Sequence, residues 1–167
     1  MLVGLPGAGK TTVGRLVAER LKTGFIDPDV IIVRRMQMPV TRIFAEHGEA
    51  KFREIERQVI GAALSGPPSV IAPGGGWAAQ PGQLDAARAN SYVIYLKVMV
   101  ATAAKRTEGD TSRPLLIGQD PQEIIRRLLK DREPYYHLAD AEVKSDTRTP
   151  EEIVEEIVGL ARTNAGW

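Results

Sequence analysis

The run Gly4-Leu5-Pro6-Gly7-Ala8-Gly9-Lys10-Thr11-Thr12 constrains this chain more than any other stretch. It follows the apolar Met1-Leu2-Val3 and leads into Val13, Leu16, Val17 and Leu21 at helical spacing. The spacing G-x-x-x-x-G-K-T between a strand and a helix start is that of a Walker A loop. Such a loop turns its backbone N–H groups inward around an anion, and the helix N-terminus adds partial positive charge. Lys10 supplies a full charge for the outer phosphates, and Thr11 offers a hydroxyl to Mg²⁺. Gly7, Ala8, Gly9, Lys10, Thr11 and Thr12 are therefore read as the binding loop of a nucleoside triphosphate.

The rest of the chain alternates strands and helices. Short strands are predicted at 24–26, 69–72, 92–96 and 141–144, and helices over 10–21, 30–36, 39–45, 49–64, 84–89 and 100–106. Asp120-Pro121-Gln122-Glu123 and Thr149-Pro150-Glu151-Glu152 each carry an N-cap acceptor, proline at the first helical position and a glutamate able to reach back. They open two more helices, the first expected to stop near Glu133, before Pro134. Only three residues precede the loop, so the first strand is expected to be short or incomplete. Alternation without repeats or low-complexity linkers means one α/β domain with a parallel sheet over residues 1–167. Ligands of such folds collect at the carboxyl ends of the strands.

Composition removes several function classes. There is no cysteine, which excludes disulfides, thiolate metal sites and cysteine nucleophiles. A formal net charge of +1 gives no reason to expect nucleic acid or a membrane surface as partner. No apolar run approaches the ~18 residues of a membrane span, and no signal-like segment opens the chain, so a cytoplasmic location is expected.

Chemistry-bearing residues fall just past the strand ends. Asp27-Pro28-Asp29 holds two carboxylates across a proline that restricts the backbone, suiting one to metal-bound water and the other to an acceptor hydroxyl. Gly74-Gly75-Gly76 lets backbone approach a ligand that side chains would block. Arg113 lies in the polar stretch 107–119, between Gly109 and Gly118, where an arginine on a closable loop meets charge on a transferring phosphoryl group. Arg53 on the 49–64 helix is, taken alone, an ordinary helical arginine.

Together these motifs resemble the shikimate kinases, a family of small P-loop kinases. The matching residues are the Walker loop, Phe25-Ile26-Asp27-x-Asp29, Ile43-Phe44 followed by Gly48-Glu49, Phe52-Arg53-x-x-Glu56, the triple glycine, Arg113-Pro114-Leu115-Leu116 and Arg132-x-Pro134-x-Tyr136. The resemblance covers essentially the whole chain. It implies a three-layer fold with a five-stranded sheet in the order 2-3-1-4-5, an acceptor-binding helical region near 30–60 and a lid near 109–120. It implies Mg²⁺-dependent phosphorylation of the 3-hydroxyl of shikimate by ATP, in the route to aromatic amino acids, by a monomer. By that analogy Lys10, Asp29 and Arg113 are catalytic, with Asp29 also holding the ring hydroxyls. Arg53 and Arg132 grip the acceptor carboxylate beside the backbone of Gly75, with Phe44, Phe52, Glu56, Gly74 and Gly76 as secondary lining. Arg106 and Pro150 flank the adenine, and Asp27 supports Mg²⁺ through water beside the direct ligand Thr11. Val33 stands where the family usually has glutamate, Ala72 where a hydroxyl residue is common, and Trp77 is bulky for its place. A catalytically silent ATP-binding homologue and a gluconate-type kinase are the alternatives.

Overall fold

The computed structural model describes residues 1–113 and 120–167. The elements run β1 (Leu2–Val3), α1 (Lys10–Arg20), β2 (Gly24–Ile26), α2 (Pro28–Met36), α3 (Val40–Leu64), β3 (Ser69–Ile71), α4 (Gln83–Arg88), β4 (Ile94–Lys97), α5 (Val100–Thr107), α6 (Pro121–Tyr136), β5 (Ala141–Lys144) and α7 (Pro150–Asn164). The expected alternation is present, and among the described residues every ladder is parallel. The strands pair as β1-β4-β5 and as β2-β3, so the described ladders are two and not the single five-stranded sheet expected. With only Leu2 and Val3 in β1, the strand is long enough for its register with Ile94 and Tyr95 and little more.

The helices expected over 39–45 and 49–64 lie end to end within α3, and Gly48 between them, with φ 80° and ψ 161°, leaves the helical region and separates them. A residue without Cβ adopts that backbone at low cost, so the chain kinks there between two helical segments. One helix differs from the sequence expectation. The helix expected to stop before Pro134 runs on to Tyr136. Proline forfeits one intrahelical hydrogen bond, but the last turn is anchored from outside. Tyr136 is fully buried, stacks 5.1 Å from the ring of Tyr95 and donates its hydroxyl to the Gly75 carbonyl at 2.8 Å. Both N-caps are present: Asp120 accepts from the Gln122 N–H, and at the second start Thr149 with Glu152 forms a reciprocal capping box.

The main core lies between the ladders and their helices, built on Leu5, Val17, Tyr95, Leu96, Ile125 and Ile157 among others. Trp77 fits into it fully buried, so its bulk is absorbed by the core and does not intrude on the strand ends. A second, smaller cluster of Ile32, Ile43, Phe52, Ile55 and Val59 joins α2 to α3. The region near 30–60 thus has packing of its own beside the main core.

Candidate active site

The Walker loop connects β1 to α1 and abuts α5. Gly7 sits at φ 81°, and a Cβ there would lie 2.7 Å from the Ala103 carbonyl oxygen. Only glycine satisfies both the backbone and this approach. Lys10 is buried, and its Nζ donates to the carbonyls of Gly4 and Leu5, each at 2.9 Å. Burial, followed by repulsion from Arg113 and Arg132, pushes its ammonium down to about 7 against the attraction of Asp29 and Asp27. Arg106 donates to the Gly7 carbonyl and to the Ser145 carbonyl, each at 3.2 Å, tying the loop to the segment after β5.

Asp27 caps α2: its Oδ1 accepts the Asp29 N–H at 3.0 Å, with Pro28 at the first helical position. Asp27-Pro28-Asp29 thus forms the N-cap and first turn of α2. The other Asp27 oxygen accepts from the Thr11 hydroxyl at 3.4 Å, so the Walker hydroxyl and this carboxylate stand side by side. Asp29 has a buried Oδ1 without a hydrogen-bond partner. Burial and the neighbouring charge of Asp27 raise its carboxyl above the usual range, opposed by Arg113, Arg53 and Lys10.

Behind the aspartates, α3 and α6 deliver two buried arginines. Arg53 donates from Nη1 to Glu56 at 2.7 Å and from Nη2 to Glu49 at 3.2 Å, and lies 5.3 Å over the Phe52 ring. The triple glycine passes against both guanidinium groups. A Cβ at Gly76 would meet Arg53 Nη2 at 2.2 Å and Arg132 Nη2 at 3.2 Å, and one at Gly75 would meet Arg132 Nη1 at 3.1 Å. Phe44 and Phe52 lie 5.0 Å apart between centroids.

One cavity of about 760 Å³ joins these parts. Its wall includes Gly7, Gly9, Lys10, Thr11 and Thr12 on one side, Asp27 and Asp29 in the middle, and Arg53, Glu56, Arg132 and Gly74–Gly76 on the other. Phe44, Phe52, Arg106 and Arg113 also line it. Of the residues singled out from the sequence, Ala8 is buried behind the loop and Pro150 lies exposed at the start of α7, and neither lines the cavity. Pro114 to Gln119, half of the expected lid, falls outside the described residues. Val33 and Ala72 line the cavity as apolar wall.

The structure supplies partners for residues that the sequence named only as motif members or lining, and adds Arg34. Glu49 and Glu56 are the partners of Arg53 at i−4 and i+3, a spacing legible on any helix but uninformative until Arg53 is known to be buried. Tyr136 fixes the Gly75 carbonyl from 61 residues away, with no local signal for the pairing. Arg34 lines the cavity on the face of α2 that carries Asp29, Val30 and Val33, positions whose helical spacing does mark one side.

The cavity thus has the Walker loop at one end and two buried guanidinium groups at the other, and the fold is that of the P-loop kinases. Residues 6–161 match the family model for shikimate kinase. The chain is 48% identical over 156 residues to a shikimate kinase of Thermobifida fusca (strain YX), covering 93% of this chain and 90% of the relative. It is 42% identical over 168 residues to one of Mycobacterium avium (strain 104), covering 99% and 94%. Among solved structures, a shikimate kinase from Acinetobacter baumannii in complex with shikimate superposes with a TM-score of 0.92 at 35% identity, covering 98% of this chain and 92% of that one. The chain belongs to the shikimate kinase family.

Proposed function

We propose that this protein transfers the γ-phosphoryl group of ATP to the 3-hydroxyl of shikimate, giving shikimate 3-phosphate and ADP. The observation that carries the reading is the pair of buried arginines, Arg53 and Arg132, converging on the triple glycine across one cavity from the Walker loop. A small carboxylic acid is the acceptor that such fixed guanidinium forks suit, because bidentate pairing supplies geometry as well as charge. The weaker bond of Arg53, to the exposed Glu49, is the one an incoming carboxylate displaces.

The donor set beside the loop fits Mg²⁺: a hydroxyl on Thr11 and a carboxylate on Asp27, both hard oxygen ligands. Among the described residues no cluster of three or more His, Cys, Asp or Glu side chains suits a metal. Thr11 would hold the ion directly and Asp27 through water. Held there, Mg²⁺ would supply positive charge against that of the phosphate groups.

The residues then divide the work. Lys10 leaves the Gly4 and Leu5 carbonyls for the outer phosphates, and Gly7 to Thr12 wrap them. Asp29 holds the acceptor hydroxyl and takes its proton, a task for which a raised carboxyl is suited. Arg53 and Arg132 fix the carboxylate and the Gly75 backbone meets the ring. Phe44, Phe52, Glu56, Gly74 and Gly76 shape the pocket. Arg113 meets charge on the moving group. Arg106 and Pro150 border the adenine. The two ladders lie side by side as 2-3 and 1-4-5, residues near 30–60 form the acceptor region, those near 109–120 form a lid, and the enzyme works as a cytoplasmic monomer. Among the described residues no helix is long and apolar enough to cross a membrane.

A coupled assay for ADP release tests the reading. Shikimate-dependent turnover is expected. Turnover with gluconate instead makes the chain a gluconate-type kinase, and nucleotide binding without turnover makes it a silent homologue. Size-exclusion chromatography checks the monomer.

A further inference from the structure

Just past α5, the Asp110 carboxylate collects three donors. Its Oδ1 accepts from the Ser112 N–H at 2.9 Å and from the Ser112 hydroxyl, and its Oδ2 accepts from Arg113 Nε at 2.8 Å. The Asp110 N–H in turn donates to the Thr107 carbonyl at 3.1 Å. Thr107 is the buried last residue of α5, its hydroxyl bonded to the carbonyls of Ala103 at 2.8 Å and Ala104 at 3.2 Å. Ala103 is the residue against which Gly7 packs. Asp110 is thus fastened, through one short turn, to the helix that abuts the Walker loop.

The bond to Arg113 uses a particular edge of the guanidinium. Nε lies on the side away from the fork made by the two terminal nitrogens. Among the described residues no hydrogen bond engages Nη1 or Nη2 of Arg113, and the residue lines the cavity. It stands close enough to the reacting groups for its charge to act on both Lys10 and Asp29. An arginine held by Nε keeps both terminal nitrogens available for two parallel hydrogen bonds to a phosphoryl group. Restraint before substrates arrive also removes rotamer freedom that the transition state would otherwise have to remove.

We propose that Asp110 is a positioning residue for phosphoryl transfer: it holds Arg113 by Nε and aims the guanidinium fork into the cavity. Asp110 touches neither nucleotide nor acceptor and acts only through Arg113. The inference rests on the phosphoryl-transfer reading of the site, and it adds to that reading a residue one layer behind the reacting groups.

The test is a double-mutant cycle on Asp110 and Arg113, with kcat and the KM values for ATP and shikimate measured for each variant. Asp110→Ala should lower kcat on the order of 10- to 100-fold, the scale of a misplaced catalytic group, with KM for shikimate unchanged. Asp110→Asn keeps a carbonyl oxygen for Nε and should recover most of the rate. Arg113→Ala should cost ~10³-fold if it meets the transferring group as an arginine finger does, and adding Asp110→Ala to it should cost nothing more. Equal losses from Asp110→Ala with and without Arg113 would overturn the proposal. So would an unchanged kcat, or a faster enzyme, which would make Asp110 a restraint on Arg113. If the wild-type protein shows no shikimate-dependent turnover, the reading of the site fails separately. The same cycle is then read from calorimetric Mg-ATP affinity, where coupling between the two positions supports positioning and additivity overturns it.

Discussion

Arg53 donates from Nη1 to Glu56 Oε2 at 2.7 Å, while the other oxygen of Glu56 is buried with no hydrogen-bond partner. A Cβ at Gly74 would lie 3.4 Å from that free oxygen and 3.6 Å from Asp29 Oδ1, so the glycine faces two carboxylates at once. Burial, opposed by Arg53 and assisted by Asp29, pushes the Glu56 carboxyl from 4.5 up to about 7. The folded state therefore binds more protons at Glu56 than the unfolded state between those values, and stability from this group falls as pH rises through that window. Glu56→Gln should flatten the pH dependence of Tm between about 4.5 and 7, measured by thermal denaturation. An unchanged profile would show that the pair shares its charge differently.

Replacing Arg53 or Arg132 by Ala should lose about 2–5 kcal/mol of acceptor binding while ATP binding stays almost untouched. Calorimetric titration with each substrate reads the difference. A loss of ATP affinity with acceptor affinity intact would reverse the proposed division of the cavity.

Gly76→Ala tests the same clamp from the backbone side. Its Cβ would stand 2.2 Å from Arg53 Nη2, so the guanidinium must move. The acceptor KM should rise about 10-fold or more, a cost of about 1–3 kcal/mol for an overpacked site. Gly82→Ala, where a Cβ meets nothing within 4 Å but φ is +76°, should cost about 1–2 kcal/mol of stability and leave KM unchanged.

The two aspartates should separate by phenotype. Asp29→Asn should abolish most turnover with Mg-ATP still bound, because an amide takes no proton. Asp27→Asn should raise the Mg²⁺ concentration for half-maximal rate, and Asp27→Ala should also weaken α2 by about 1 kcal/mol through loss of its N-cap. With the Asp29 carboxyl raised by burial and by Asp27, kcat/KM should fall at a pH above the ordinary carboxylate range as pH is lowered. Identical phenotypes for the two Asn variants would refute the separation.

Lys10 predicts a proton linked to nucleotide binding. Its ammonium is held down to about 7 by burial first, and bound phosphates favour its charged form. At pH 8, ATP binding should take up close to one proton, seen as a binding heat that varies with the ionisation enthalpy of the buffer. At pH 6 the uptake should vanish. A buffer-independent heat at pH 8 would mean that Lys10 is already charged.

Much of this protein was written in short-range spacing. The Walker loop, the alternation of strands with helices, the Asp120 and Thr149 caps and the paired aspartates each depend on residues a few positions apart. Local backbone chemistry is enough to specify them. Tertiary structure decided the rest, because it depends on groups that meet only when elements pack. Pro134 should end a helix, yet Tyr136 finds the Gly75 carbonyl and the Tyr95 ring and carries the helix past it. Arg53 reads as one helical arginine among several until burial removes the water around it and leaves Glu56 and Glu49 as its partners. Sequence spacing set which groups the chain carries; desolvation and long-range packing set which of them face one another and hold shifted protons.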